Sequence, residues 1–161
     1  MSGAPVRRTS GDVKVGDRLP PVAVDVTATT VILGALASRD WRPMHHDRDF
    51  AIHRNGARDI FMNTPNQAAW FERYLTDWTG ATGRLGRMKF KMRDSIYPGD
   101  RMEFHGVVEK VETDGVGCSW LDVKVTLRVG ERVATECRVR LALPNAEDDN
   151  PWTRKGAAWK P

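Results

Sequence analysis

Leu121-Asp-Val-Lys-Val-Thr-Leu-Arg-Val-Gly-Glu-Arg-Val-Ala-Thr-Glu-Cys-Arg-Val-Arg-Leu141 decides the fold. Leu121, Val123, Val125, Leu127 and Val129 alternate with Asp122, Lys124, Thr126 and Arg128. After Gly130-Glu131, a turn, Val133, Thr135, Cys137, Val139 and Leu141 alternate with Glu136, Arg138 and Arg140. A period of two over such lengths is that of strands with one apolar and one polar face. Upstream, Leu85 to Arg93 reads as a further strand, Tyr97-Pro-Gly-Asp100 as a turn, and Arg101 to Val111 as a partly alternating strand in which Gly106 marks a bulge. Three or four successive strands joined by short turns make an antiparallel sheet with one buried face.

That face needs cover, and one segment supplies it. Asn63 or Thr64 can cap a helix, Pro65 suits its first turn, and Gln67 to Trp78 continues it to Thr79-Gly80. Ala68, Phe71, Leu75 and Trp78 fall at three- and four-residue spacings, an apolar stripe. One long helix against a curled antiparallel sheet is an α+β arrangement. Nearer the start, Val22 to Val26 is a short apolar run. The Thr27-Ala-Thr-Thr30 cluster can cap a helix through Val31, Ile32, Leu33, Ala35 and Leu36, ending at Ser38-Arg39. Asp47 can cap a short helix through Phe50, Ala51 and Ile52, stopped by Asn55-Gly56.

At 161 residues the chain suits one domain with a core of its own. Residues 1–12 read as a flexible tail, 13–144 as the domain and 145–161 as a polar tail. Trp152 and Trp159 in that tail suit docking on another surface, of this subunit or of a partner. Lys and Arg number 25 against 21 Asp and Glu, a net charge of +4. The basic residues are scattered, which fits a solvated surface and not a nucleic-acid footprint, and would equally suit a phosphate-bearing small molecule. Cys118 and Cys137 form neither a disulfide framework nor a metal pattern, and Cys137 sits where a small core residue is wanted. No apolar run is long enough to span a membrane and no signal-peptide apolar region follows Arg7-Arg8, so the expected location is cytoplasmic.

Between the first helix and the long one lies the chemistry-bearing stretch, Ala37 to Asn63, with three of the four histidines. Asp40 and His45 are separated by four residues, with Pro43 restricting the backbone between them. A short stiff loop can aim a carboxylate and an imidazole at one point, the two commonest groups for moving protons near neutral pH. The alternative is a structural pair that only closes the loop. His46, Asp47 and His53 lack the paired helix spacing of zinc sites, so no metal and no cofactor are expected.

The segment Ala37-Ser-Arg-Asp-x-x-Pro-Met-His-His-Asp-x-x-Phe-Ala resembles the MaoC-like hydratase signature, Ser-Gly-Asp-x-Asn-Pro-Ile-His-x-Asp-x-x-x-Ala. Pro98-Gly99-Asp100 resembles a second element of that family. The likeness spans about residues 15–142. Arg39-Asp40, His45-His46-Asp47-Arg48-Asp49, Asp59-Ile60-Phe61-x-Asn63 and Arg73-Tyr74-x-Thr76-Asp77-Trp78 look closer to one branch, the small subunit of actinobacterial steroid side-chain enoyl-CoA hydratases. The resemblance implies a hotdog fold, a sheet wrapped around one helix. It also implies (R)-specific, reversible hydration of a trans-2-enoyl-CoA, with Asp40 and His45 as the catalytic dyad. An acyl-CoA thioester is then the substrate, and a second hotdog subunit, identical or different, the partner.

Carried over with it are candidate substrate contacts: Arg42, Asn63, Thr64 and, from charge alone, Lys91. Arg42 stands where the family has Asn, and Asn63-Thr64 where it has His-Gly. Both departures lean towards a wider pocket for a bulky polycyclic acyl group. Other readings are a non-catalytic hotdog partner and an acyl-CoA thioesterase. The latter would more usually place a lone carboxylate on or near the long helix, where Glu72 reads as surface.

Overall fold

The computed structural model describes residues 7–161. Strands β1 (Val22–Asp25), β2 (Arg84–Met92), β3 (Arg101–Thr113), β4 (Ser119–Val129) and β5 (Arg132–Leu143) form one sheet. Every pairing in it is antiparallel. Their order is β1-β3-β4-β5-β2. The alternation in β4 and β5 becomes two opposed rows: Val123 faces Val139, Val125 faces Cys137 and Leu121 faces Leu141, all buried.

The run of successive neighbours expected from the sequence holds only for β3, β4 and β5. β2 lies outside β5, so Tyr97–Asp100 is not a hairpin between neighbours but the end of a crossover. Ile96, fully buried, anchors that crossover, and its carbonyl accepts from Met62 N–H at 2.9 Å. The bulge in β3 falls between Val108 and Lys110, not at Gly106. Gly106 has a different reason: a Cβ there would press on the Leu19 side chain, and its N–H donates to Tyr74 Oη at 3.0 Å.

Helix α1 (Ala28–Ala37) starts at Thr27, whose hydroxyl accepts from Thr30 N–H at 3.1 Å. Helix α2 (Thr64–Thr79) starts at Asn63, whose Oδ1 accepts from Asn66 N–H at 3.1 Å, and ends at Gly80 with φ +78°. The sheet curls around α2, the hotdog arrangement expected from the sequence. Its buried face is broader than the apolar stripe: Phe71 and Leu75 are central, Trp78 is at the flank, and Gln67, Tyr74 and Thr79 are buried beside them. Wrapping takes polar side chains inside, where each needs a partner. Gln67 Oε1 accepts from Thr135 Oγ at 2.8 Å, and Tyr74 Oη is held by Gly106. Phe71 meets Phe104 edge-on at 5.3 Å; full burial of such a side chain stabilises by about 1.5–3 kcal/mol.

The terminal segments are held to the domain. Within the expected flexible tail, residues 1–6 lie outside the described residues. Arg7 bridges to Gly80, Ser10 N–H donates to the Pro144 carbonyl at 2.8 Å and Arg8 Nε to the Trp78 carbonyl at 2.8 Å, so this part is not free. At the other end Trp159 packs on Trp120 at 4.7 Å, with Arg84 stacked on Trp159 at 3.6 Å, and Trp152 Nε1 donates to the Gly83 carbonyl. The tail tryptophans therefore dock on this subunit. Among the described residues no helix is long and apolar enough to cross a membrane.

Candidate active site

Asp40 is delivered by the way α1 ends. Ser38 caps the helix, Arg39 turns left-handed (φ +54°), and the N–H groups of Arg39 and Asp40 donate back to Leu36 and Ala35 carbonyls at 3.0 and 2.9 Å. This is a Schellman closure with arginine where glycine is usual, a conformation costing about 1–2 kcal/mol for an L residue. The turn projects Asp40 sideways from the helix end.

His45 arrives from the other side of the loop. Pro43 opens a single 3-10 turn, Pro43–His45, that carries the imidazole inward to 5 % exposure. Nδ1 lies 2.7 Å from the Phe61 carbonyl, an acceptor only, so Nδ1 donates to it, and in the neutral ring the lone pair is on Nε2. The Phe61 ring packs edge-on against the imidazole at 4.9 Å. Phe61 is braced in turn by Tyr97 at 6.0 Å, whose turn Asp100 closes by accepting from Tyr97 N–H at 3.0 Å. Asp100 also pairs with Arg132 at 2.9 Å and with Arg58, which stacks on Tyr97. The Pro-Gly-Asp turn thus stands behind the group that fixes the histidine tautomer.

Nε2 of His45 lies 3.6 Å from Asp40 Oδ2. That is beyond a good direct hydrogen bond, so both atoms remain open to a third group between them. Asp40 Oδ2 also accepts from Asn63 Nδ2 at 3.0 Å, and the Arg42 backbone N–H donates to Oδ1 at 3.3 Å. The Asn63 bond is the main reason the Asp40 carboxyl sits below its ordinary pKa; partial burial works against it, and the Arg42 amide, His45 and the Arg42 charge add to the lowering. Asp40 is thus held as a carboxylate with the Nε2 side of His45 turned towards it.

The other sequence-predicted contacts divide. Asn63 is at the site but 1 % exposed, with its amide committed to Ser38 Oγ at 2.8 Å, to Asp40 and to the α2 cap. It positions Asp40 and is not free to bind substrate through its side chain. Arg42 is exposed at the loop, held by its backbone to Asp40. Thr64 heads α2. Pro65 has no N–H and those of Asn66 and Gln67 go to Asn63, so among the described residues Thr64 holds the unpartnered amide of this turn. Lys91 is not brought to the site: it lies on the outer face of β2, while its neighbour Met92 reaches Thr64 Oγ at 3.7 Å. His46 and His53 are exposed and apart from the dyad, and no group of three metal-ligating side chains comes together among the described residues.

Ser38 and the Phe61 carbonyl were missed as site groups. Ser38 Oγ donates to the Gly34 carbonyl at 2.8 Å and accepts from Asn63; its place in Ala37-Ser-Arg-Asp40 was the available signal. A backbone carbonyl carries no sequence signal. A groove of about 300 Å3 is lined by Phe61, Met62, Gln67 and Met92 and, at its polar end, by Arg93, Asp94 and Ser95; Phe61, whose ring packs on His45, connects it to the dyad.

The fold, a sheet wrapped on one helix with an Asp and a His brought together at the helix head, is the hotdog arrangement, and comparison with known proteins gives its family. No protein-family model matches. The chain is 34% identical over 102 residues to the 3-oxo-4,17-pregnadiene-20-carboxyl-CoA hydratase beta subunit of Mycobacterium tuberculosis, covering 63% of this chain and 78% of that protein. Among solved structures it is similar to a chain of the ChsH1–ChsH2 complex from Mycobacterium tuberculosis, with a TM-score of 0.75 and 32% identity over 81% of this chain and 98% of that one. The (R)-hydratase PhaJ1 from Pseudomonas aeruginosa shares the fold, with a TM-score of 0.72 at 13% identity over 86% of each chain. The chain belongs to the MaoC-like hydratase family, alongside a subunit of a steroid side-chain hydratase.

Proposed function

We propose that the chain is the catalytic subunit of an (R)-specific enoyl-CoA hydratase that adds water reversibly to a trans-2-enoyl-CoA, with Asp40 and His45 as its dyad. The observation that carries this reading is the 3.6 Å approach of Asp40 Oδ2 to His45 Nε2, the nitrogen that bears the lone pair in the neutral ring because Nδ1 donates to the Phe61 carbonyl. A water held between the two loses a proton to Nε2 as its oxygen bonds to the β-carbon. The electron pair of the double bond moves towards the thioester oxygen, and the proton returns at the α-carbon, so one water is consumed. Developing charge on the thioester oxygen needs a fixed donor, and the free Thr64 N–H at the positive end of α2 is suited to it.

Arg42, exposed beside Asp40, would meet the anionic part of the CoA, whereas Lys91 is on the outer face of β2. The acyl chain would follow the groove past Phe61 and Met92. Exposed Leu33, Leu36 and Trp41 (66 % exposed) add an apolar surface near the loop that suits a bulky, steroid-like acyl group. A second MaoC-like subunit, as in the named two-subunit relatives, would complete the channel. The thioesterase reading loses its carboxylate, because Glu72 faces solvent on α2.

The test is loss of the conjugated enoyl-thioester absorbance with a short acyl-CoA and a steroid-like one, for wild type, Asp40→Asn and His45→Ala. A fall of at least ~10²-fold in each variant is expected of a positioned acid/base pair. Equal rates in wild type and variants would transfer the chemistry to another subunit.

A further inference from the structure

Arg132, at the start of β5, grips the crossover from β2 to β3 at both of its ends. Its guanidinium pairs with Asp94, donates to the Ser95 carbonyl at 3.1 Å and pairs with Asp100 at 2.9 Å. A lysine ammonium has no planar fork with which to span three such acceptors. Ion pairs in open solvent contribute little, but here the Asp100 side chain is only 11 % exposed and that of Arg132 34 %.

Between those ends the crossover meets the candidate site through one amide. Ile96, fully buried, accepts from Met62 N–H at 2.9 Å. The carbonyl of that same peptide unit belongs to Phe61 and lies 2.7 Å from His45 Nδ1. A planar amide with a partner at each end cannot turn one end without the other. The bond at its N–H also polarises its carbonyl into a better acceptor.

The neutral His45 ring has one proton and two acceptors competing for it. The Phe61 carbonyl stands 2.7 Å from Nδ1, and Asp40 Oδ2 stands 3.6 Å from Nε2. A carboxylate is the stronger acceptor, so the carbonyl holds the proton only by standing closer. A small displacement of the Phe61–Met62 amide removes that advantage.

We propose that Arg132 is a positioning residue for His45. By fixing the crossover, and through Ile96 the Phe61–Met62 amide, it keeps the ring proton on Nδ1 and the lone pair on the side of Asp40. Without this grip the ring gives its Nδ1 proton to solvent and takes one at Nε2, which then donates to Asp40. Charge and proton count are unchanged, but the nitrogen facing Asp40 can no longer accept a proton. The effect on rate rests on reading Asp40 and His45 as the dyad; the tautomer is a property of the chain without substrate.

The test uses the full chain, isotope-labelled at its histidine ring nitrogens, at about pH 9, well above the ordinary histidine range, so that the ring is neutral. Nitrogen chemical shifts separate the protonated nitrogen from the one with the lone pair. The spectrum of His45→Ala identifies the His45 signals among the four histidines. Wild type is expected chiefly as the Nδ1–H form. In Arg132→Gln the ratio of Nε2–H to Nδ1–H should rise at least ~5-fold, the worth of about one hydrogen bond. Arg132→Lys should fall between the two, and is read in place of Arg132→Gln should that variant not fold. An unchanged ratio in a folded variant, even one with a lower Tm, overturns the proposal and leaves Arg132 a staple of the crossover. A wild-type ring already in the Nε2–H form overturns it as well. Hydration by the same samples at the same pH is a separate readout: kcat should fall in step with the lost Nδ1–H fraction while KM holds. A tautomer shift in a chain that hydrates nothing keeps the proposal and removes the enzyme reading; an active chain whose tautomer does not move does the reverse.

Discussion

Asn63 shows how one side chain couples folding to chemistry. Its Oδ1 caps α2 while its Nδ2 holds Ser38 and Asp40, so the helix head and the loop carboxylate cannot shift independently. Asn63→Ala is expected to cost about 2–3 kcal/mol, from the lost cap and the unpaired groups left behind. It should also raise the Asp40 pKa towards its ordinary value, since the Asn63 bond is the largest cause of the lowering. A carboxyl lowered by folding contributes stability that is full above its unfolded value, near 4, and is lost as pH falls through its folded value. In the variant that contribution shrinks, so stability falls less steeply below pH ~4, while the acid limb of the kcat/KM profile moves up with the raised Asp40 pKa. Urea unfolding across pH 3–7 and the pH–rate profile measure both; a stability loss without either shift would reduce Asn63 to a helix cap. The Asp–His spacing is legible in the sequence alone. The roles of Asn63 and Phe61 are not, because both act through partners at least sixteen residues away.

At the scale of elements, α1 and α2 meet where a glycine lets them. A Cβ on Gly34 would overlap the Asn66 side-chain amide, which donates to the Thr30 carbonyl at 3.0 Å and so ties the two helices together. Alanine is the better helix former, by about 1 kcal/mol within a helix. Gly34→Ala is nonetheless expected to destabilise by about 1–3 kcal/mol, because overlap in a packed contact has to be relieved by moving a helix. It should also slow hydration, since α1 carries Ser38 and Asp40. Thermal unfolding decides the sign: a more stable variant would show that the contact yields freely. Both helix caps were readable from Thr27 and Asn63. The crossing was not, because an apolar stripe says that a face is buried without saying against what.

For the molecule as a whole, the sheet has two faces with different fates. The concave one holds α2 and Cys137, whose thiol burial pushes up to about 12. The convex one is covered at one end by the C-terminal segment, where Trp159 lies over Cys118, Trp120 and Ala142. Burial also raises the Cys118 thiol above its ordinary value. In the intact chain neither cysteine is expected to react with a thiol-specific disulfide before unfolding. Removing residues 151–161 should make Cys118 react at least ~10-fold faster while Cys137 stays silent, read by thiol titration with mass mapping. Equal protection of Cys118 after the deletion would show that the tail covers nothing essential.

The alternation of residues 121–141 and the capped helix from Asn63 were enough to specify a helix on an antiparallel sheet, since period and caps are local and written in consecutive residues. Asp-x4-His with its proline was likewise enough to expect a carboxylate and an imidazole at one point of the loop, where they lie 3.6 Å apart. Strand order, with β2 beyond β5, came only with the tertiary structure, because antiparallel patterns fit several topologies equally well. The same holds for the 3.6 Å gap, the Nδ1 contact to a carbonyl and the bonds of Asn63 to Ser38 and Asp40. Each depends on groups far apart in the chain being brought within a few ångströms, and no local pattern records such a distance.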